Sequence, residues 1–160
     1  MTLASVILDQ AGTGPLPPFI EADRAQAVAD LGAANQFRVF GRDGQRMEGP
    51  YNLHLAIVEG RLVFDIRDES DNPMIAIGLA LGPFRRLVKD YQMLVDSHIK
   101  AVEEGREARI QAIDMGRRGL HNEGAALMTE RLAGKIDIDF DTARRLFTLV
   151  CVLAQRIAAR

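Results

Sequence analysis

The segment YNLHLAIVEGRLVFDIR, at residues 51–67, decides the fold, because apolar side chains alternate along it on both sides of a tight turn. Alternation with a period of two is typical of a strand that buries one face, and Glu59-Gly60 supplies the turn of a β-hairpin. A core face and an outer face follow from the register of such a hairpin. The predicted pairs are Val58 with Arg61, Leu55 with Phe64, Leu53 with Ile66, and His54 with Asp65.

The residues around this hairpin predict the other elements of the N-terminal half. Runs of β-branched and apolar residues indicate strands, alanine-rich sequence favours a helix, and proline and glycine interrupt both. The predictions are a strand at 3–8, a Pro/Gly loop at 12–18, a helix at 19–34, a short strand at 36–40, a turn region at 41–50 and a third strand of the meander at 74–81.

The C-terminal half has the three- and four-residue apolar spacing of helices. Pro83 suits a first helical position, and the longest such pattern begins there. Glycines at 105 and at 116 and 119 predict breaks between helices. The predicted helices are 84–104, 106–115, 122–133 and a last one that begins near Asp141 and is almost wholly apolar from 146 to 153.

Strands that precede helices indicate an α+β fold. We expect an antiparallel sheet, a meander of about three to five strands in the N-terminal half, with three to four helices of the C-terminal half packed on it. The 160 residues, 48% of them apolar, suit a single domain 1–160. Its parts are a strand and loop at 1–18, a helix and meander at 19–81, and a helical half at 82–160.

Composition excludes several classes of function. The net charge of −2, with only seven phenylalanines and two tyrosines, makes nucleic acid an unexpected partner. A single cysteine, Cys151, excludes an internal disulfide and a cysteine-built zinc site. No apolar run approaches the roughly twenty residues of a membrane span, and residues 1–10 lack the basic start of a secretory signal. We therefore expect a cytoplasmic protein without a membrane partner.

No sequence motif predicts a metal or a cofactor. Asp137, Asp139 and Asp141 resemble the opening of a calcium-binding loop, but Thr142 and Thr148 stand where that loop requires glycine and glutamate. These aspartates are better interpreted as caps of the last helix, whose positive end they would face.

The segment DMGRRGLHNEG, at residues 114–124, concentrates side chains that are common in functional sites. Its arginines suit an anion, and its histidine and glutamate suit proton transfer. The alternative is a plain turn between helices, in which Asn122 caps the next helix and the arginines lie in solvent. The candidate catalytic residues are His121 and Glu123, and the candidate ligand-binding residues here are Arg117, Arg118 and Asn122.

Three arginine pairs lie at predicted helix starts, where a cation opposes the helix dipole. An anion nearby would make such a placement favourable. That anion is either a bound ligand such as phosphate or the protein's own Asp137, Asp139 and Asp141, and the sequence leaves both open. The pairs are Arg85 with Arg86, Arg117 with Arg118, and Arg144 with Arg145.

Four long stretches resemble an alphaproteobacterial family of small proteins of unknown function, and the similarity covers the chain from Glu21 onward. The resemblance implies no activity, cofactor or catalytic residue. The stretches are GPYNLHLAIVEGRLVFDIRDE at 49–69, GPFRRLVKDYQ at 82–92, QAIDMGRRGLHNEG at 111–124 and GKIDIDFDTARRLFTLVCVL at 134–153.

Three functions of different classes remain. The first is a binding or regulatory protein for a phosphate-bearing or other anionic small molecule, held by the arginine pairs. The second is a small enzyme in which His121 or Glu123 acts as acid or base while Arg117 orients an anionic substrate. The third is an interaction module that forms a homo-oligomer or binds a partner through residues 143–157.

Overall fold

The structure, a computed structural model, describes residues 2–9 and 16–158. In this part of the chain four α-helices accompany two sheets, so the α+β fold class is confirmed. The strands are β1 (Leu3–Leu8), β2 (Phe37–Phe40), β3 (Arg46–Met47), β4 (Tyr51–Val58), β5 (Arg61–Arg67), β6 (Pro73–Ala80) and β7 (Ile136–Ile138). The helices are α1 (Pro18–Ala33), α2 (Arg85–Glu103), α3 (Glu107–Leu132) and α4 (Phe140–Ala158).

The larger sheet has the strand order β1-β4-β5-β6, and its centre is the predicted hairpin. All four predicted cross-strand pairs are confirmed. The apolar side chains of the core face of β4 and β5 are buried beneath the helices, because alternation directs every second residue to the same side. Leu53, Leu55, Phe64 and Ile66 are all inaccessible to solvent.

The expectation of a purely antiparallel sheet is wrong, since β1 pairs with β4 in parallel. A parallel pair requires a crossover connection, and α1 lies in the chain between the two strands. Asn35, buried just after α1, fixes this arrangement. Its side chain accepts a hydrogen bond from the Leu3 amide at 3.0 Å and donates to the carbonyls of Leu3 and Leu31 at 2.9 and 2.8 Å.

The second sheet, of order β3-β2-β7, was not predicted. Two of its strands have only two and three residues, too few for alternation to show in the sequence. β3 lies in the predicted turn region 41–50, and β7 includes Asp137. Asp139 caps α4 as predicted, because its Oδ1 accepts a hydrogen bond from the Thr142 amide at 3.0 Å.

The α2 and α4 helices and the break at Gly105 are confirmed, but the predicted break at residues 116–119 is wrong. α3 runs unbroken through Gly116 and Gly119. Its buried side chains, among them Ile113, Leu120 and Met128, keep a helical spacing across both glycines. The stabilisation from packing along that face outweighs the destabilisation of about 1 kcal/mol that each glycine causes inside a helix, relative to alanine. Neither Arg117 nor Arg118 therefore lies at a helix start, and Asn122 is not a cap.

The last helix, α4, occupies the centre of the molecule. It packs against α1, α2, α3 and β4. Eight of its described apolar side chains are at most 1% exposed, so its continuous apolar surface is covered by the same chain. They are Ala143, Leu146, Phe147, Leu149, Val150, Cys151, Val152 and Leu153. None of the described helices combines the length and apolarity that crossing a bilayer requires.

Candidate anion-binding site

A pocket of ≈ 250 Å³ opens where α1, α3 and α4 meet, and we call it the arginine pocket. Two of the three predicted arginine pairs converge there, together with the candidate residue His121. Its lining consists of Asp23, Gln26, Ala27 and Asp30 from α1, Arg117, Arg118 and His121 from α3, and Arg144, Arg145 and Thr148 from α4.

Helical spacing explains why these side chains share one place. Residues four apart lie on the same helix face, which brings Arg117 together with His121 on α3 and Arg144 together with Thr148 on α4. The continuity of α3 is essential, because a break at residues 116–119 would separate Arg117 from His121. The three helices are held in contact by the buried face of α4.

The lining carries an excess of positive charge. Four guanidinium groups face the two carboxylates of Asp23 and Asp30. Two positive charges therefore have no counter-charge in the pocket when His121 is neutral. Because the protein as a whole is slightly acidic, this positive charge is local to the pocket and not part of a general basic surface.

Asp23 is the best-satisfied acidic residue of the pocket. Its Oδ1 accepts a hydrogen bond from Arg117 Nη1 at 2.9 Å, and its Oδ2 accepts one from the Tyr91 hydroxyl at 2.7 Å. Burial and the adjacent carboxylate raise the pKa of Tyr91, so its hydroxyl keeps the proton that it donates. The Arg117 guanidinium also lies over the ring of Phe19, 5.1 Å from its centroid.

Arg144 and Arg145 are less well satisfied. The Nε atom of each is buried and has no hydrogen-bond acceptor among the described residues. Arg145 Nε lies 3.4 Å from Asp30 Oδ2, within the range of an ion pair but without the geometry of a hydrogen bond. An unsatisfied buried donor costs about 1–3 kcal/mol, and a charged one more. These two groups are therefore suited to an acceptor from outside the protein.

His121 forms a buried wall of the pocket. Its Nδ1 donates a hydrogen bond to the Arg117 carbonyl at 2.7 Å, so the neutral ring keeps a lone pair on Nε2. Burial lowers the pKa of His121, and the positive charges of Arg117 and Arg144 add to that effect. The Arg117 carbonyl and Asp23 act in the opposite direction. The ring is held edge-on against Phe147, with 5.8 Å between centroids.

The remaining predicted site residues lie outside the arginine pocket. Arg85 and Arg86 start α2, as predicted, but are exposed, and Arg86 forms ion pairs with Asp90 and Glu123. Asn122 is also exposed.

Glu123 is exposed as well, and it does not line the pocket. The structure thus does not bring His121 and Glu123 into one cavity, as the enzyme hypothesis requires. Within residues 2–9 and 16–158, no group of three or more histidine, cysteine, aspartate or glutamate side chains is arranged to hold a metal ion.

Of the two alternatives that the sequence leaves open, neutralisation of the arginines by Asp137, Asp139 and Asp141 is not found among the described residues. The carboxylates that pair with the pocket arginines are Asp23 and Asp30, on α1. Their seven-residue spacing places them on one helix face, which is a signal present in the sequence. The tertiary packing determines which surfaces of α3 and α4 contact this face of α1, and the sequence alone does not reveal it.

The model of the uncharacterised protein family UPF0262 matches residues 1–156. The chain belongs to UPF0262. The predicted resemblance is thus confirmed, and it extends to the first twenty residues. No solved structure matches significantly.

Several UPF0262 relatives match along nearly their whole length. The protein of Granulibacter bethesdensis is 64% identical, over 97% of this chain and 90% of its own. That of Acidiphilium cryptum is 58% identical, over 96% of this chain and 93% of its own. The Maricaulis maris relative is 51% identical, over 98% of this chain and 96% of its own.

Proposed function

We propose that this UPF0262 protein is a small binding or regulatory protein that holds a phosphate-bearing or other anionic ligand in the arginine pocket. One observation carries the proposal. Four arginines converge from two helices, and two of their buried Nε donors lack acceptors among the described residues; the four are Arg117, Arg118, Arg144 and Arg145.

The chemistry of the guanidinium group favours an oxyanion. Its Nε–Nη edge presents two parallel donors that match two oxygens of a phosphate or carboxylate. After a small rotation of each side chain toward the pocket, the edges of Arg144 and Arg145 would receive from the ligand the acceptors that the described part of the chain does not provide. Arg117 is already engaged by Asp23, so its role is to hold α1 against α3 and to add positive charge.

The enzyme hypothesis has weaker support. His121 lines the pocket with a free lone pair on Nε2, but Glu123 is turned to the surface and engaged by Arg86. The titratable groups near His121 are already engaged, since Asp23 accepts hydrogen bonds from both Arg117 and Tyr91, so binding accounts for more of the pocket than catalysis does.

Two further parts of the proposal concern location and self-association. We place the protein in the cytoplasm, where small anionic metabolites are abundant and the unpaired Cys151 would stay reduced. Self-association through residues 143–157 stays a prediction. The burial of α4 within its own chain removes the exposed apolar surface that motivated it, and sedimentation of the purified protein tests it.

Calorimetric titration with inorganic phosphate and pyrophosphate tests the binding function. We expect saturable binding by the wild type and its loss in the double variant Arg144→Ala/Arg145→Ala. The matched control is Arg85→Ala/Arg86→Ala, which removes the same two charges outside the pocket and should bind as the wild type does. Circular dichroism establishes that both variants fold.

Three results would contradict the proposal. They are the absence of binding to a broad panel of phosphate compounds, equal binding by the two double variants, and loss of binding only in the control.

A further inference from the structure

The arginine pocket is small, and its described lining offers little aromatic surface to a nucleobase. Its ≈ 250 Å³ lies below the ~300–1,000 Å³ typical of sites for drug-sized ligands. Among the described residues, no phenylalanine, tyrosine or tryptophan lines it. The neighbouring Phe19 is covered by the Arg117 guanidinium. The aromatic ring that remains in the described lining, His121, is 8% exposed and packed edge-on against Tyr91 and Phe147, so little of its surface is available for base stacking, a common source of nucleotide affinity.

The wall opposite Arg144 and Arg145 is polar but not basic. It is formed by Asp30 and Gln26 of α1, and Asp30 Oδ1 accepts a hydrogen bond from Gln26 Nε2 at 2.9 Å. Asp30 Oδ2 receives no hydrogen bond from Arg145, although their atoms are 3.4 Å apart. A carboxylate in this place repels a bare oxyanion. The Asp30 carboxylate favours binding when the ligand also carries hydroxyl groups that can donate hydrogen bonds to it.

Building on the proposed function, we infer that the ligand is a small phosphomonoester that carries hydroxyl groups, a phosphorylated sugar or polyol. The phosphate lies against Arg144 and Arg145. The hydroxyl groups lie against Asp30 and Gln26. They donate hydrogen bonds to the Asp30 carboxylate, and the Gln26 amide oxygen is a further acceptor. The excess of two positive charges in the lining matches the charge of a phosphomonoester dianion.

The test is calorimetric titration of the full-length protein with ribose 5-phosphate, glycerol 3-phosphate, inorganic phosphate, ribose and adenosine 5′-monophosphate. We expect at least one of the first two to bind about tenfold or more tightly than inorganic phosphate, because each hydroxyl adds hydrogen bonds. Adenosine 5′-monophosphate contains the same ribose phosphate with a base attached, and it should bind more weakly than ribose 5-phosphate. Ribose without phosphate should not bind.

Variants test which side chains make the protein prefer hydroxylated phosphate esters to inorganic phosphate. Asp30→Asn should reduce the preference over inorganic phosphate to about threefold or less, since it removes the charged acceptor and also relieves repulsion of the bare anion. Asp90→Asn is the matched control, because Asp90 pairs with Arg86 away from the pocket. It should keep the wild-type preference.

The outcomes separate this inference from the proposed function. If inorganic phosphate binds as tightly as both hydroxylated esters, or if adenosine 5′-monophosphate binds more tightly than ribose 5-phosphate, the ligand class is wrong and the anion site stands. If Asp30→Asn keeps the preference, the assignment of the hydroxyl wall is wrong. If no phosphate compound binds, both the inference and the proposed function are wrong.

Discussion

Arg117 and Asp23 join two helices across the arginine pocket, with 2.9 Å between Nη1 and Oδ1. The pair lies 94 residues apart in the chain, so it forms only when α1 packs beside α3. Since the side chains are 30% and 17% exposed, water screens them only in part. The same aspartate satisfies the Tyr91 hydroxyl, and one carboxylate thus organises one whole side of the site.

Asp23→Asn should lower the free energy of unfolding by about 1–3 kcal/mol, because it removes the charged partner of Arg117 and weakens the bond to Tyr91. It should also tighten phosphate binding, since Arg117 then adds an unpaired positive charge. Urea denaturation and calorimetry measure the two effects. Asp90→Asn, at a more exposed ion pair, should change stability by about 0.5 kcal/mol or less. A neutral effect of Asp23→Asn on both measurements would contradict the assigned role.

Two glycines of α3 should respond in opposite ways to alanine. A Cβ at Gly124 would lie 2.4 Å from ring atoms of Phe147, so Gly124→Ala should destabilise the protein by about 1–3 kcal/mol. A Cβ at Gly119 meets nothing within 4 Å, so Gly119→Ala should stabilise the helix by about 0.5–1 kcal/mol. Thermal denaturation of both variants provides the measurement. Marked destabilisation by Gly119→Ala would show that α3 is interrupted there in solution.

His121 should make the protein less stable in mild acid. Its pKa in the folded protein lies below the ordinary value of 6.5, mainly because it is buried. The unfolded chain therefore binds more protons as the pH falls through 6.5, and the free energy of unfolding decreases down to the folded pKa. His121→Phe should flatten this dependence, while His98→Gln, on α2, should preserve it. An unchanged slope in His121→Phe would refute the assignment.

The thiol of Cys151 should be unreactive in the folded protein. It is fully buried in α4, and burial together with the Asp23 charge raises its pKa. Nucleophilic attack requires the thiolate and access to the reagent, and burial opposes both. Ellman's reagent should react with the native protein on the slow timescale of unfolding and within seconds in denaturant. Rapid labelling under native conditions would mean that α4 is not buried as described.

The elements that sequence predicted well are those with long, regular patterns. The hairpin register at Leu55 and Phe64 follows from the alternation together with the tight turn at Glu59-Gly60, and the apolar face of α2 follows from residues only three or four apart. Short elements such as β3 and β7 carry no such pattern. The parallel pairing of β1 is supported by the buried side-chain amide of Asn35, whose partner on that strand, Leu3, lies 32 residues away in the chain.

The sequence predicts the arginines of the site, but their expected position at helix starts is only partly correct. Arginine pairs were singled out as helix starts, yet Arg117 lies in the middle of α3, and the pairs converge because of tertiary packing. The acidic partners Asp23 and Asp30 were missed, because nothing in a single sequence states which helix faces meet. The low helix propensity of Gly116 and Gly119 favours a turn, whereas packing of the buried apolar face keeps α3 intact.

The most direct test of the anion site is to follow the Nε–H signals of Arg144 and Arg145 by nuclear magnetic resonance during a titration with phosphate. The two donors have no acceptor among the described residues, so a bound oxyanion should move both signals downfield and slow their exchange with water. The signals of Arg85 and Arg86 should stay unchanged. If phosphate leaves Arg144 and Arg145 unaffected, or shifts all four arginines alike, the arginine pocket is not an anion site.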